Sequence, residues 1–260
     1  MATSNPLLMS KAPRAPFLRR NPFPRRFTIG FYYREKMRAI HAVTPEGEFS
    51  RVLELGGGQS GLTRLLFPNS TILNVDADSS HGTAACNRQS GVSFVCSNAE
   101  QLPFSDESFD AVTMFDVLEH VPNDRSAVTE ALRVLRPGGV ILISAPNPNW
   151  RFPYYGALKP LCPAESDVMA EWGHVRRGYS LAELQNLLGV PCEANADFIN
   201  RTTVISHDLA FSKLPGALRR LGCMLLWPLT WTGYALQSSS TPGTETASCW
   251  RKQPGGSHGT

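Results

Sequence analysis

Three groups of residues in this chain have the types and spacing that do chemistry. The first is Val52-Leu53-Glu54-Leu55-Gly56-Gly57-Gly58-Gln59-Ser60-Gly61. Apolar residues run through an acid into a glycine turn, as in a buried strand that feeds a tight turn and opens a helix. Glycine permits positive φ and lets a ligand approach the backbone closely. Gly56, Gly58 and Gly61 satisfy G-x-G-x-x-G, a pattern that dinucleotide sites share. Glu54, two residues ahead of the turn, is a poor neighbour for a pyrophosphate and a good one for an ammonium group. The helix expected after the turn is only about two turns long, short for capping a pyrophosphate. The second group is Asp76, twenty residues after Gly56. At the end of the next predicted strand it can bond ribose hydroxyls in either kind of nucleotide site. The third group is Asp116, Glu119 and His120, with His174 further on in Trp172-Gly173-His174-Val175-Arg176. At i, i+3 and i+4 the first three would share one face of a helix. Carboxylate and imidazole together suit magnesium or a harder transition metal. An imidazole alone suits a general base, because it titrates near neutral pH.

The elements that must position these groups alternate regularly. Strands are predicted at Val52–Leu55, Thr71–Val75, Val92–Cys96, Phe109–Phe115 and Val140–Ser144. Helices are predicted at Leu62–Phe67, around Ser80–Gln89 and at Asp124–Leu135, where Ala127, Val128, Ala131, Leu132 and Leu135 recur at helical spacing. Arg136-Pro137-Gly138-Gly139 reads as a helix stop and turn. Strand–helix alternation predicts an α/β fold: a Rossmann-like, doubly wound, mostly parallel sheet with ligands at the carboxyl ends of its strands. Residues 150–178 lack a clear period and are rich in aromatics and prolines, as a substrate loop or lid would be. Ser180 and Glu183 form a capping-box pattern ahead of Leu184, Leu187 and Leu188. A late strand is expected within 198–205.

The flanks read differently. Residues 1–26 hold five prolines, six basic residues and no acid. They are expected to form a disordered arm, with an organelle transit peptide as the alternative. A helix is expected within 27–48, a cofactor-binding core over 49–149, a lid and apolar segment over 150–236, and a disordered Ser/Thr/Gly-rich tail over 237–260. Leu221–Leu236 carries no charge and follows Arg219-Arg220. Pro228 and Gly233 interrupt it, and it is too short for a span. It reads as a helix over the core or as a membrane-interface segment. Residues 1–51 hold ten basic and three acidic residues, whereas 52–150 hold five and eleven. A basic head on an acidic middle is not the footprint of a nucleic-acid-binding domain. Six scattered cysteines with no C-x-x-C pair point to reduced thiols and a cytoplasmic location.

Val52–Gly61, Asn74–Asp78, Ser97–Phe104, Ser108–His120 and Leu132–Ile143 together resemble the ordered motifs of class I S-adenosylmethionine-dependent methyltransferases of the type 11 branch. Phe115-Asp116-Val117-Leu118-Glu119-His120-Val121 and Arg133-Val134-Leu135-Arg136-Pro137-Gly138-Gly139 carry the resemblance most specifically. It implies that Glu54, Gly56 and Gly58 lie by the methionine part of S-adenosylmethionine and that Asp76 takes the ribose. It also implies that Asn98 and Ala99 flank the adenine and that Phe115 sits at the cofactor's edge. Glu54 stands where the family usually has Asp. Asn98 stands where it usually has an Asp that accepts from the adenine amino group, a role an amide oxygen can still fill. Some resembling quinone O-methyltransferases bind a divalent metal through Glu-x-x-Glu-His at this place. Here the set would be Asp116, Glu119 and His120, and the expectation is that no metal is held. The expected reaction is methyl transfer to a small-molecule or lipid-like acceptor, at oxygen, with His120, His174 and Glu119 as catalytic candidates. A nicotinamide-dependent oxidoreductase and a non-catalytic Rossmann-like binding protein are the alternatives.

Overall fold

The computed structural model describes residues 11–23, 29–238 and 240–254. Its strands are β1 (Arg51–Leu55), β2 (Thr71–Asp76), β3 (Val92–Cys96), β4 (Phe109–Phe115), β5 (Leu135–Pro146), β6 (Cys192–Asn200) and β7 (Gly243–Arg251). They form one sheet in the order β3-β2-β1-β4-β5-β7-β6. Strands β1 to β5 pair in parallel, and β7 runs antiparallel between β5 and β6. The helices are α1 (Arg14–Arg19), α2 (Ile29–Val43), α3 (Leu62–Leu66), α4 (Asp124–Val134), α5 (Glu165–Trp172), α6 (Leu181–Leu188), α7 (Val204–Ala210), α8 (Gly216–Leu225) and α9 (Trp227–Leu236).

Successive side chains of a strand point to opposite faces, and the sheet buries both. Val52 and Ile72 face a core with Phe17, Met37, Ile40, Leu62 and Leu66. Leu53, Leu55, Val112 and Met114 face a second core with Ala127, Val128, Ala131 and Leu184. These layers make the doubly wound sheet that strand–helix alternation predicts. The helix α6 begins at the capping box: Ser180 accepts from the Glu183 backbone, and Glu183 accepts in return from the Ser180 backbone.

The flanks depart from expectation. The tail is not disordered over residues 243–251: it forms β7, buried at every residue but the last. Ala247 and Cys249 of this strand enter the first core, while Trp250 enters the second. Neighbouring strands on both sides satisfy the backbone of β7, so a weakly apolar sequence suffices. The expected arm is likewise ordered over residues 11–23. Phe17 and Leu18 of α1 are buried, and Ala12 donates from its amide to the Leu66 carbonyl. The rest of that arm, residues 1–10 and 24–26, lies outside the described residues, as do residues 255–260 of the tail. The helix expected around Ser80–Gln89 is two short 3-10 turns, Ser79–Thr83 and Ala85–Arg88. The late strand starts earlier and ends at Asn200. The apolar segment after Arg219-Arg220 is two helices, α8 and α9, with Pro228 in the first turn of α9, where its missing N–H costs nothing.

Helix α2 buries a carboxyl group on the side away from solvent. Glu35 is pushed up by burial to about 8, against the opposing pull of the Thr203 hydroxyl and Arg38. The folded state therefore keeps a proton that the unfolded chain releases near 4.5. This contribution is fully present below the unfolded pKa and is lost as pH rises through about 8. Glu35→Gln is expected to stabilise the protein at pH 9 by roughly 5 kcal/mol and to change little at pH 4. Urea unfolding at the two pH values measures this; equal shifts at both would contradict it.

Candidate active site

The carboxyl ends of β1, β2, β4 and β5 and the first residues of the antiparallel β7 meet at one edge of the sheet. Two cavities open there. The first, about 420 Å³, is a cleft lined by Tyr33 and Lys36 of α2, by Phe23 of the arm, by Glu54, Gly56 and Gly57, and by Phe115. Gly56 and Gly58 take positive φ, +63° and +52°. A Cβ on Gly56 would stand 2.7 Å from a methyl of Val117, so the turn is bare backbone for both conformational and packing reasons. Burial holds the Glu54 carboxyl above its ordinary range, partly offset by the Thr63 hydroxyl and amide and by Lys36. Burial pulls on Lys36 in the opposite sense, yet the ion pair with Asp116 and the nearby Tyr33 keep its ammonium above the usual lysine range. The cleft thus carries one acid and one cation, the complement of an amino-acid zwitterion. This donor set and the bare turn fit the methionine end of S-adenosylmethionine.

Asp76 ends β2 behind the glycine turn. It accepts from the Gly58 amide at 3.0 Å and from the Asp78 amide at 2.9 Å, and His81 Nδ1 lies 3.2 Å away. Asn98 is exposed, and its carbonyl oxygen accepts from the Glu100 amide at 2.9 Å. Ala99 packs against the second core. Gly58, Asp76, Asn98 and Ala99 are not among the described residues that line the cleft.

The second cavity, about 380 Å³, lies beyond Phe115. Asp116, Glu119, His120 and His174 line it with Trp150 and Trp172 of the irregular segment, Tyr32 of α2 and Glu245 of β7. The structure thus brings the three catalytic candidates Glu119, His120 and His174 together, but Asp116, Glu119 and His120 do not share a helical face, because residues 116–120 form a turn. Asp116 has φ of +54° and begins a tight turn in which His120 donates to the Val117 carbonyl. Its carboxylate is taken by Lys36 and by the Ser144 hydroxyl, the latter at 2.7 Å. His174 takes its place in the cluster: Glu119, His120 and His174 bring ligand-type atoms within 4.8 Å of one another. The sequence predicts no metal and offers Asp116, Glu119 and His120 as the alternative set; among the described residues the group spaced to hold an ion is Glu119, His120 and His174. Burial and the neighbouring His120 push His174 down to about 4. Burial, reinforced by Asp116, raises Glu119 well above the carboxylate range. Arg176 faces neither cavity: it ties the turn after β4 through the Leu118, Val121 and Pro122 carbonyls.

Sequence reasoning missed several lining residues, among them Glu245, Tyr32, Lys36 and Tyr33. Glu245, opposite Pro146 across the β5–β7 ladder, is pushed up to about 8 by burial and by Asp116. Tyr32 donates to its carboxyl oxygens at 2.8 and 2.9 Å. Lys36 and Tyr33 project from α2. Nothing local in the sequence marks these residues, because their neighbours are remote in the chain.

Comparison with known proteins agrees with this geometry. Residues 53–143 match the family model described as a methyltransferase domain. The chain is 34% identical over 198 residues to phthiotriol/phenolphthiotriol dimycocerosates methyltransferase 1 of Mycobacterium ulcerans, covering 72% of this chain and 64% of that protein. It is 35% identical over 135 residues to the fatty-acid O-methyltransferase of Mycolicibacterium smegmatis, covering 49% and 46%. The chain therefore spans less than two thirds of either relative. Among solved structures, the N-methyltransferase NodS of Bradyrhizobium japonicum shares the fold, with a TM-score of 0.51, 16% identity and coverage of 85% of this chain and 87% of that one. Residues 53–143 of this chain are a class I S-adenosylmethionine-dependent methyltransferase domain of the type 11 branch.

Proposed function

We propose that the protein transfers the methyl group of S-adenosylmethionine to a neutral hydroxyl of an apolar, lipid-like acceptor. The observation that carries this reading is the pair of adjoining cavities, one zwitterion-complementary and one walled by aromatics, which meet at Phe115 and Asp116. When bound, S-adenosylmethionine supplies a methyl group already activated on sulfur; the protein has to align the acceptor and exclude water. Glu54 and Lys36 would hold the amino-acid end, Asp76 the ribose, and Phe115 the edge of the cofactor. Trp150 and Trp172 close the acceptor side. Glu119 and Glu245 keep their protons above the ordinary carboxylate range. They can therefore donate to an acceptor oxygen. His120 and His174 line the cavity as the imidazoles placed to accept the hydroxyl proton, and burial, which pushes His174 down to about 4, makes His174 a weak base.

Among the described residues lining the acceptor cavity there is no Lys or Arg, and the Lys36 that pairs with Asp116 lines the cofactor cleft instead. Nothing there would hold an ionised carboxylate acceptor, which favours an alcohol or phenol. The Mycobacterium ulcerans relative acts, by its name, on phthiotriol and phenolphthiotriol dimycocerosates, which supports a lipid-like acceptor. Such an acceptor is best met at a lipid surface, and we assign residues 219–236 to that contact. The described cysteines are free thiols, which supports a cytoplasmic face.

Calorimetry with S-adenosylhomocysteine on the wild type and Asp76→Ala tests the cofactor half. Loss of two hydrogen bonds to a charged acceptor should weaken binding by about 100-fold; unchanged affinity would remove Asp76 from the ribose site. Mass spectrometry of long-chain alcohols, phenols and fatty acids incubated with labelled cofactor tests the acceptor half, and methylation of fatty acids alone would refute it.

A further inference from the structure

Helix α8 exposes Leu218, Leu221, Met224 and Leu225, and α9 exposes Leu229, Trp231 and Leu236, with Leu225 73% and Leu236 76% exposed. Beside them lies a third cavity of about 450 Å³ between the arm and α9. Its apolar walls include Leu18, Phe23, Phe31, Trp227 and Trp231, and Arg19 and Arg34 are its charged residues. Trp227, Trp231 and Tyr234 stack in succession along α9, with ring centroids 5.5 and 5.3 Å apart. The Nε of Arg34 is buried and has no partner among the described residues. Phe23 is a wall of both this groove and the cofactor cleft, so whatever occupies the groove sits beside the active site.

The two chain segments that build this face, and the residues lining its groove, carry charge of one sign. No acid occurs from residue 1 to Arg34 or from Leu209 to Thr244. Lys213 and Arg220, both exposed, lie within the second stretch. An isologous contact between two copies would set the same cations against one another with no acid to meet them. Apolar side chains rimmed by cations, with Trp and Tyr at their border, instead complement a bilayer surface that carries negative headgroups.

We propose that the α1–α9 groove and the exposed face of α8 and α9 form a docking site for an anionic phospholipid bilayer, with Arg19 and Arg34 meeting headgroup phosphates and the leucines entering the acyl boundary. This deepens, and rests on, the assignment of residues 219–236 to a lipid surface. No helix among the described residues is long and apolar enough to cross a membrane, so the contact is interfacial. It places the groove, and the cofactor cleft next to it through Phe23, at the level from which a lipid-like acceptor would be drawn.

Vesicle flotation with the full chain tests the proposal, using phosphatidylcholine alone and phosphatidylcholine mixed with phosphatidylglycerol at low and high salt. The wild type should partition at least about tenfold better onto the mixed vesicles at low salt, with that preference shrinking at high salt. Acyl-brominated lipid should quench tryptophan emission. Leu225→Glu with Leu229→Glu, both at exposed sites, should abolish binding to either vesicle. Arg19→Glu should cost the anionic preference several-fold and leave S-adenosylhomocysteine binding unchanged, which reports an intact fold. Equal wild-type binding to both vesicles would overturn the headgroup assignment while leaving the lipid-surface reading in place. Binding to neither would overturn both. A dimer disrupted by the leucine substitutions, without vesicle binding, would show the face to be an interface between copies and would also overturn the proposal.

Discussion

Replacing Gly57 by alanine is expected to lower the affinity for S-adenosylhomocysteine by at least about 100-fold, or roughly 2.7 kcal/mol. The backbone does not oppose the change, since no positive φ is involved at Gly57. Space does. An added Cβ would lie 2.4 Å from Cδ of Glu54 and 2.6 Å from Oδ1 of Asn74. Both side chains are buried, and Asn74 is held by its amide's 2.7 Å bond to Asn87. Glu54 must therefore yield, and the open direction is the cleft itself. The acid that should meet the cofactor's ammonium group would then occupy its place. Overpacking should also cost about 1–3 kcal/mol of stability. Gly156, where an added Cβ meets nothing within 4 Å, is the control: Gly156→Ala should alter neither quantity. Calorimetry on both variants decides, and wild-type affinity in Gly57→Ala would mean that the turn does not border the ligand.

The second large effect concerns stability. Trp250→Ala is expected to destabilise the protein by about 4 kcal/mol. Trp250 is fully buried in the second core, opposite Ile141 across the β5–β7 ladder, and its indole donates to the Ser248 hydroxyl at 2.8 Å. The substitution would leave both a cavity and a buried hydroxyl without its donor. Deleting residues 243–260 should do more, because it removes the strand between β5 and β6, leaving β5 an edge strand paired with β4 alone and β6 without its ladder; loss of a cooperative thermal transition is the expected result. A tail that behaved as its composition suggests would leave the melting temperature unchanged in both variants.

That contrast shows where local sequence carries the fold. Val52–Leu55, Thr71–Asp76 and Phe109–Phe115 are mostly apolar or β-branched, interrupted at Glu54, Asn74, Asp76 and Asp110, as parallel strands covered on both faces need to be. The periodicity of α4 and the Ser180–Glu183 capping box are equally local, and so is the spacing from Gly56 to Asp76. Strand β7 was illegible because its order comes from two flanking ladders rather than from its own composition. The acceptor cavity was illegible for a related reason: Tyr32 and Glu245 are 213 residues apart, and only the antiparallel return of β7 sets Glu245 opposite Pro146. For Asp116, the i, i+3, i+4 spacing suggested a helix, whereas its left-handed backbone conformation turns the chain so that His174 completes the cluster.

The ion pair between Lys36 and Asp116 has a thermodynamic consequence. Lys36 lines the cofactor cleft and Asp116 the acceptor cavity, so one charge pair spans the wall between two ligands. A carboxylate that draws on Lys36 from one side loosens its hold on Asp116 at the other, and an acceptor that bonds Asp116 does the reverse. The two affinities are then linked, and by reciprocity each ligand alters the other's by the same factor. Occupancy of the cofactor cleft would in this way tune the acceptor cavity without any movement of the sheet.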